Sequence, residues 1–193
     1  KAACAGTAVV VATPLFLSGC TQQNTQDIIE AVILAITKLP TIINDYRSAN
    51  GLPRIPLSSK LTAVAIAHVI DLNTYQAHNA CGEGGNLHSW SDHGHWTDKA
   101  GDGGWKACCY PSDHSNPDCM QDKPKEIANY SSNGYEIAAA GVSSPVDALN
   151  LWKTSTLHND VILNRGAWTN SQWEALGAMY GANYACAWFG TTP

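Results

Sequence analysis

The chain is 193 residues long and carries 11 Lys and Arg against 16 Asp and Glu, a formal charge of −5. A mildly acidic chain without a basic stripe has no electrostatic footprint for a nucleic-acid backbone, so no nucleic-acid partner is expected. The length suits a single domain with one substantial core, and no internal repeat argues otherwise.

The first residues read as a targeting segment. Lys1 is followed by an apolar run over residues 2–17, broken by Pro14, and then by Leu17-Ser18-Gly19-Cys20. The run falls short of the roughly 20 apolar residues that span a bilayer, and Leu-Ser-Gly before Cys is a pattern that lipoprotein signal peptidase accepts. Residues 1–19 are therefore expected to be a lipoprotein-type signal peptide. With one basic residue and no Met before the run, the leader reads as cut short at its start. Cys20 would be the acylated first residue of an exported chain, held in the cell envelope by its lipid or released from it. Loss of Lys1 takes the formal charge from −5 to −6.

Residues 20–40 read as an anchor linker and helix. Within 25–38, Ile28, Ile29, Val32, Ile33 and Ile36 recur at helical spacing, and Pro40 is expected to end the run. A second helix is expected over 41–49, stopped by Asn50-Gly51. Ser58 or Ser59 can cap a longer one running to about residue 78, with Leu61, Val64, Ala65, His68, Val69 and Leu72 on its buried stripe. Residues 79–133 are rich in Gly, Asp, Ser, Asn, Pro and Trp, which makes a loop insert too long to be ordered without cross-links.

Cysteines in an oxidising compartment supply them. Two disulfides drawn from Cys81, Cys108, Cys109 and Cys119 are expected, without a bridge between the neighbours Cys108 and Cys109. Five cysteines follow Cys20, so one stays free or pairs elsewhere. A zinc site of Cys108, Cys109, Cys119 and a histidine is the rival, although the Cys-x-x-Cys clip is absent. Further on, residues 136–141 suit a strand or the start of a helix, and Ser144-Pro145 opens a helix to about residue 156 with Val146, Leu149 and Trp152 on one face. Short apolar runs at 161–163, 175–180 and 184–189, separated by turns, look like an antiparallel sheet. Helices first and strands later imply the α+β class.

Three separated segments set polar side chains beside aromatics: Asn86-Leu87-His88-Ser89-Trp90, Asn133-Gly134-Tyr135-Glu136 and Trp152-Lys153-Thr154-Ser155-Thr156-Leu157-His158-Asn159. Two imidazoles and a carboxylate that meet only on folding are the raw material of a metal or acid–base site. Read in order with Tyr46-Arg47-Ser48-Ala49-Asn50-Gly51-Leu52-Pro53 upstream and Ala175-Leu176-Gly177-Ala178-Met179-Tyr180 downstream, these segments resemble the CAP superfamily. That group comprises cysteine-rich secretory proteins, antigen 5 and plant pathogenesis-related proteins. The resemblance covers about residues 42–190 and sets a CAP domain at 41–193. It implies a three-layer α-β-α sandwich with a central antiparallel sheet, here carrying the long disulfide-tied insert.

It also implies a cleft. His88 matches the first family histidine, Glu136 the first acidic residue and His158 the second histidine. The place three residues after Trp152, acidic in many relatives, is Ser155 here, which resembles bacterial members. His88 and His158 are then the candidate metal ligands and Zn²⁺ the candidate cofactor, with Glu136 the one candidate catalytic group, set to orient or deprotonate a metal-bound water. The expected function is non-catalytic binding of a divalent metal and a ligand. That ligand is either small, with a lipid or sterol-like molecule as one candidate, or macromolecular, with an envelope component as another. Two alternatives are a metal-dependent envelope hydrolase of peptide, peptidoglycan or ester, and an interaction module that uses the 81–119 insert.

The remaining polar groups receive plainer readings. His68 is expected as a satisfied core residue, His78 as a cation at a helix end, and His93-Gly94-His95 beside Asp92 as a solvated surface cluster. Asp98 and Asp102 lack the twelve-residue calcium-loop pattern. Ser89 and Ser155 lack a Gly-x-Ser-x-Gly elbow, and Cys81 is expected to be oxidised and so unavailable as a nucleophile. Most of the seven tryptophans should be core, with Trp90, Trp96 and Trp105 close in sequence to His88.

Overall fold

Alternation along three short strands determines the layers. In the computed structural model, which describes residues 22–82, 85–94 and 99–193, they are β1 (Gly134–Ala140), β2 (Ala175–Gly181) and β3 (Tyr184–Gly190), antiparallel in the order β1-β3-β2. The leader, Cys20, His95, Trp96 and Asp98 lie outside the described residues. Ile137, Ala139, Leu176, Ala178, Ala185, Ala187 and Phe189 form one buried face. Glu136, Ala138, Ala175, Cys186 and Trp188, offset by one residue, form the other.

Helices cover both faces. On the first lie α1 (Gln22–Ala49), α6 (Pro145–Thr154) and α7 (Thr156–Leu163), which bury Leu39, Ile43, Ala148, Leu149, Trp152 and Ile162 against the sheet. On the second lies α2 (Ser59–Tyr75), with Leu61, Val64, Ala65, Val69 and Leu72 all buried. Its start is fixed by Ser58, whose hydroxyl accepts from Leu61 N–H at 3.3 Å. It lies so close to β2 that a Cβ on Gly177 would sit 2.1 Å from the Leu61 carbonyl carbon. The same side carries the insert and its short helices α3 (Ala77–Ala80), α4 (Asp118–Gln121) and α5 (Lys123–Ala128). The result is the expected α-β-α sandwich of the α+β class.

Polar side chains lock the corner between α1 and α7. Arg47 is buried and donates to the carbonyls of Pro53 (3.1 Å) and Ile162 (2.5 Å) and to Asn164 Oδ1 (2.7 Å). Asn44 exchanges two hydrogen bonds with the backbone of Ile55, at 2.8 and 2.9 Å. These pairings satisfy buried donors and acceptors where the chain turns from one face of the sheet to the other.

Several local expectations are corrected. Pro40 does not end a helix; α1 runs through it, because Leu39 and Ile43 on either side are fully buried and packing outweighs the lost backbone donor. The α2 helix stops at Tyr75, where Gln76 takes a left-handed φ of 50°, so His78 belongs to α3 and does not cap α2. Residues 161–163 are the last turn of α7, not a strand; a three-residue apolar run fits either period. The helix expected to about residue 156 breaks at Ser155 into α6 and α7, and Val146 is 49% exposed. The insert is less irregular than its composition suggests, since α4 and α5 close it.

Cys81 pairs with Cys109 and Cys108 with Cys119, within the expected set and without a bond between neighbours. This leaves no thiol among them for the rival zinc site. Cys186 is free and buried on β3. Among the described residues no helix is long and apolar enough to cross a membrane.

Candidate functional site

Glu136 lies on the β1 face that looks toward α2, and its side chain has no solvent exposure. Both carboxylate oxygens meet imidazoles: Oε1 is 2.5 Å from His68 Nδ1, and Oε2 is 2.8 Å from His88 Nδ1. The Glu136 backbone N–H points to Met120 Sδ at 3.2 Å. Burial alone would raise the Glu136 pKa. The charge of His68 and the hydrogen bonds from both imidazoles outweigh it and bring the carboxyl from 4.5 down to about 2.

The loop carrying His88 is built to present it. Asn86 Oδ1 accepts from His88 N–H at 2.9 Å, an Asx turn that bends the chain at the histidine. On either side, Asn86 N–H bonds the Tyr110 carbonyl (3.1 Å), and Trp90 and Cys108 exchange backbone bonds at 2.9 and 3.1 Å. The partner segment, residues 108–110, contains one cysteine of each disulfide. The cross-links therefore hold His88 against β1 as well as ordering the insert. Tyr110 stands edge-on to the His88 ring, with centroids 5.0 Å apart, and its hydroxyl pairs with His114 Nδ1 at 3.1 Å.

His158 comes from the first turn of α7, three residues after Ser155, whose hydroxyl meets His158 Nδ1 at 2.8 Å. Its pKa is lowered by burial and then by the charge of His88, which places the two imidazoles in one electrostatic neighbourhood. His88, Glu136, Ser155 and His158 thus fall into two hydrogen-bonded pairs, each holding an imidazole by Nδ1. Among the described residues neither His88 Nε2 nor His158 Nε2 has a hydrogen-bond partner.

His68 is buried and satisfied, as expected, but it belongs to this site. Its Nε2–H donates to the Ser89 carbonyl at 3.2 Å, and its ring stacks on Trp90 at 4.0 Å and 12°. The signal was present in the sequence: a titratable ring in the middle of an apolar helix stripe demands a buried partner. Cys186 lies beneath it, with Sγ bonded to the Ala65 carbonyl at 3.4 Å and a thiol pKa pushed up by burial and by the Glu136 charge. Donor atoms of His68, Glu136 and Cys186 lie within 4.8 Å of one another. Oε1 and Nδ1 already bond directly and the thiol stays protonated, so this trio is a hydrogen-bonded core.

The other candidates are placed elsewhere. Ser89 is fully buried, and its hydroxyl accepts from Tyr110 N–H at 3.0 Å, a structural task. Cys81 is in a disulfide. His93 pairs with Asp92 at 2.9 Å and stacks on Tyr75 at the surface. Trp90, Trp152, Trp173 and Trp188 are core.

With that geometry in place, the family model described as CAP, the cysteine-rich secretory protein family, matches residues 41–169. The chain belongs to the CAP family. The matched span takes in His68, His88, Glu136, Ser155 and His158, and Cys186 lies beyond it. No curated protein matches the chain. Among solved structures, a cysteine-rich secretory protein from Staphylococcus aureus aligns at a TM-score of 0.50 and 12% identity, over 82% of this chain and 39% of its own. An outer surface protein from Borrelia burgdorferi aligns at 0.50 and 15% identity, over 81% of this chain and 92% of its own. At such identities the likeness is one of fold, and this CAP chain spans well under half of the first of these relatives.

Proposed function

We infer that this CAP-family chain is an exported, lipid-anchored binding protein whose cleft of His88, Glu136, Ser155 and His158 takes a divalent metal, with zinc the best match, and a ligand beside it. The observation that carries this reading is that both imidazoles are held by Nδ1 and keep Nε2 without a partner among the described residues. A histidine whose Nδ1–H is held by a carboxylate or hydroxyl presents an oriented lone pair at Nε2, the usual metal-ligating arrangement. Burial favours the neutral form of His158, which keeps that lone pair available at neutral pH. Bound there, a zinc ion would supply Lewis acidity with open positions for a ligand, and two protein ligands imply modest affinity. Export and anchoring rest on the leader with Cys20, and the surface and secretory descriptions of the two structural neighbours agree with export.

Binding is favoured over hydrolysis because Glu136 has both oxygens engaged and no exposure, which suits an orienting carboxylate better than a general base facing water. The lipid or sterol-like ligand rests on family resemblance alone. Calorimetric titration of Zn²⁺ into the full chain and into the His88→Ala/His158→Ala double variant tests the reading. The parent should bind, and the folded variant should lose at least about tenfold in affinity. Equal binding by both, or by neither, overturns the metal reading, and metal-dependent turnover lost in Glu136→Gln would move the assignment to the hydrolase.

A further inference from the structure

Three of the contacts that His68 makes converge on the mounting of His88. Nδ1 meets Glu136 Oε1 at 2.5 Å, Nε2 meets the carbonyl of Ser89, next to His88, at 3.2 Å, and the ring stacks on Trp90, two residues further on, at 4.0 Å. One side chain on α2 therefore ties the carboxylate of β1 to the loop segment 88–90. It is fully buried, so these contacts are made without competition from water.

We propose that His68 is a positioning residue of the cleft, one that fixes the tautomer of His88 through Glu136. The argument is a donor count. A backbone carbonyl only accepts, so His68 Nε2 must carry a proton. Between His68 Nδ1 and Glu136 Oε1 there is room for one proton. If it sits on Oε1, the carboxyl holds its single proton there, and if it sits on Nδ1, the buried cationic ring requires the carboxylate as its counter-charge, so Oε2 carries none. Oε2 can then only accept, so the proton in its 2.8 Å bond to His88 belongs to His88 Nδ1. Nε2 of His88 is left with its lone pair. A carbonyl on one loop thus sets the protonation pattern of a histidine that would otherwise choose its tautomer freely in water. The stack on Trp90 holds the plane of the His68 ring. This inference rests on His88 being a working group of the cleft, but the tautomer itself does not depend on metal.

The test uses zinc-free full chain with ¹⁵N-labelled histidine, and reads the His88 ring nitrogens by NMR at a pH where His88 is neutral. The parent should show His88 protonated at Nδ1. His68→Asn keeps an amide donor near the Nδ1 position and should preserve that tautomer. His68→Gln moves the donor away, and His68→Leu removes it. Both should lower the ratio of Nδ1–H to Nε2–H by about tenfold or more. Should His68→Leu fail to fold, the Asn and Gln variants still decide. An unchanged tautomer in a folded Gln or Leu variant overturns the proposal, as does a parent with Nε2–H. Zinc titration of the same samples separates the two readings: a parent that shows the tautomer but binds no zinc refutes the metal site and leaves the role of His68 standing.

Discussion

Glu136 owes its charge to its neighbours. A carboxyl with a side chain fully removed from water should be neutral, yet here the His68 charge and two imidazole hydrogen bonds hold it ionised, with a pKa of about 2. Glu136→Gln removes the charge while keeping the shape, and it leaves His68 with one acceptor in place of an anion. Breaking a buried ion pair from one side costs on the order of 3 kcal/mol, and urea denaturation of Glu136→Gln should show a loss of that size. A loss under about 0.5 kcal/mol, the scale of an ordinary surface change, would mean that the pair contributes nothing to folding. The three candidate residues found by motif, His88, Glu136 and His158, could be picked out because each sits in a short local pattern. That His68 is buried with a partner was legible from its place on the apolar stripe of α2, but the identity of that partner was not, because Glu136 lies 68 residues away.

At the scale of elements, the insert is where composition and structure differ most. It carries few aliphatic residues, and its order comes from Cys81–Cys109, Cys108–Cys119, the paired backbone of 90 and 108, and two short helices. Closing loops of 28 and 11 residues restrains the unfolded chain by about 3 kcal/mol each on the chain-entropy account, not additively since the bridges share a segment. Reduction should therefore open the insert to proteolysis between residues 81 and 119 while α1, α6, α7 and the sheet, which hold none of these cysteines, stay protected in hydrogen exchange. On the proposed metal site, the same treatment should also weaken zinc binding, since His88 lies inside the 81–109 loop. Protection lost everywhere at once would show instead that the insert and the sandwich form one cooperative unit. The α1 helix teaches the opposite lesson: Pro40 reads as a stop in any local pattern, and only the burial of Leu39 and Ile43 carries the helix past it.

For the whole molecule, His158 and Glu136 make stability fall in the same direction, with acid, below neutral pH. His158 has a lowered pKa, so between that value and the unfolded value of 6.5 the unfolded chain binds more protons and acid favours unfolding. Glu136 acts in the same sense lower down: its contribution is whole above the unfolded value of 4.5 and is lost as the pH falls toward about 2. The urea midpoint should be level above pH 7 as far as these groups are concerned, fall below 6.5, and fall more steeply below 4.5. A stability maximum near pH 4 would contradict both assignments. By itself the sequence determined the α+β class, the two later strands, the stripe of α2 and the four bridging cysteines, and it singled out His88, Glu136, Ser155 and His158 as candidates, because strand and helix periods, caps and short motifs act over a few residues. Only the tertiary structure decided that Pro40 lies inside a helix, that residues 161–163 belong to α7, which cysteine joins which, and that His68 stands behind Glu136. Those outcomes depend on burial and on contacts between distant segments, where packing and the removal of water outweigh what any residue prefers alone.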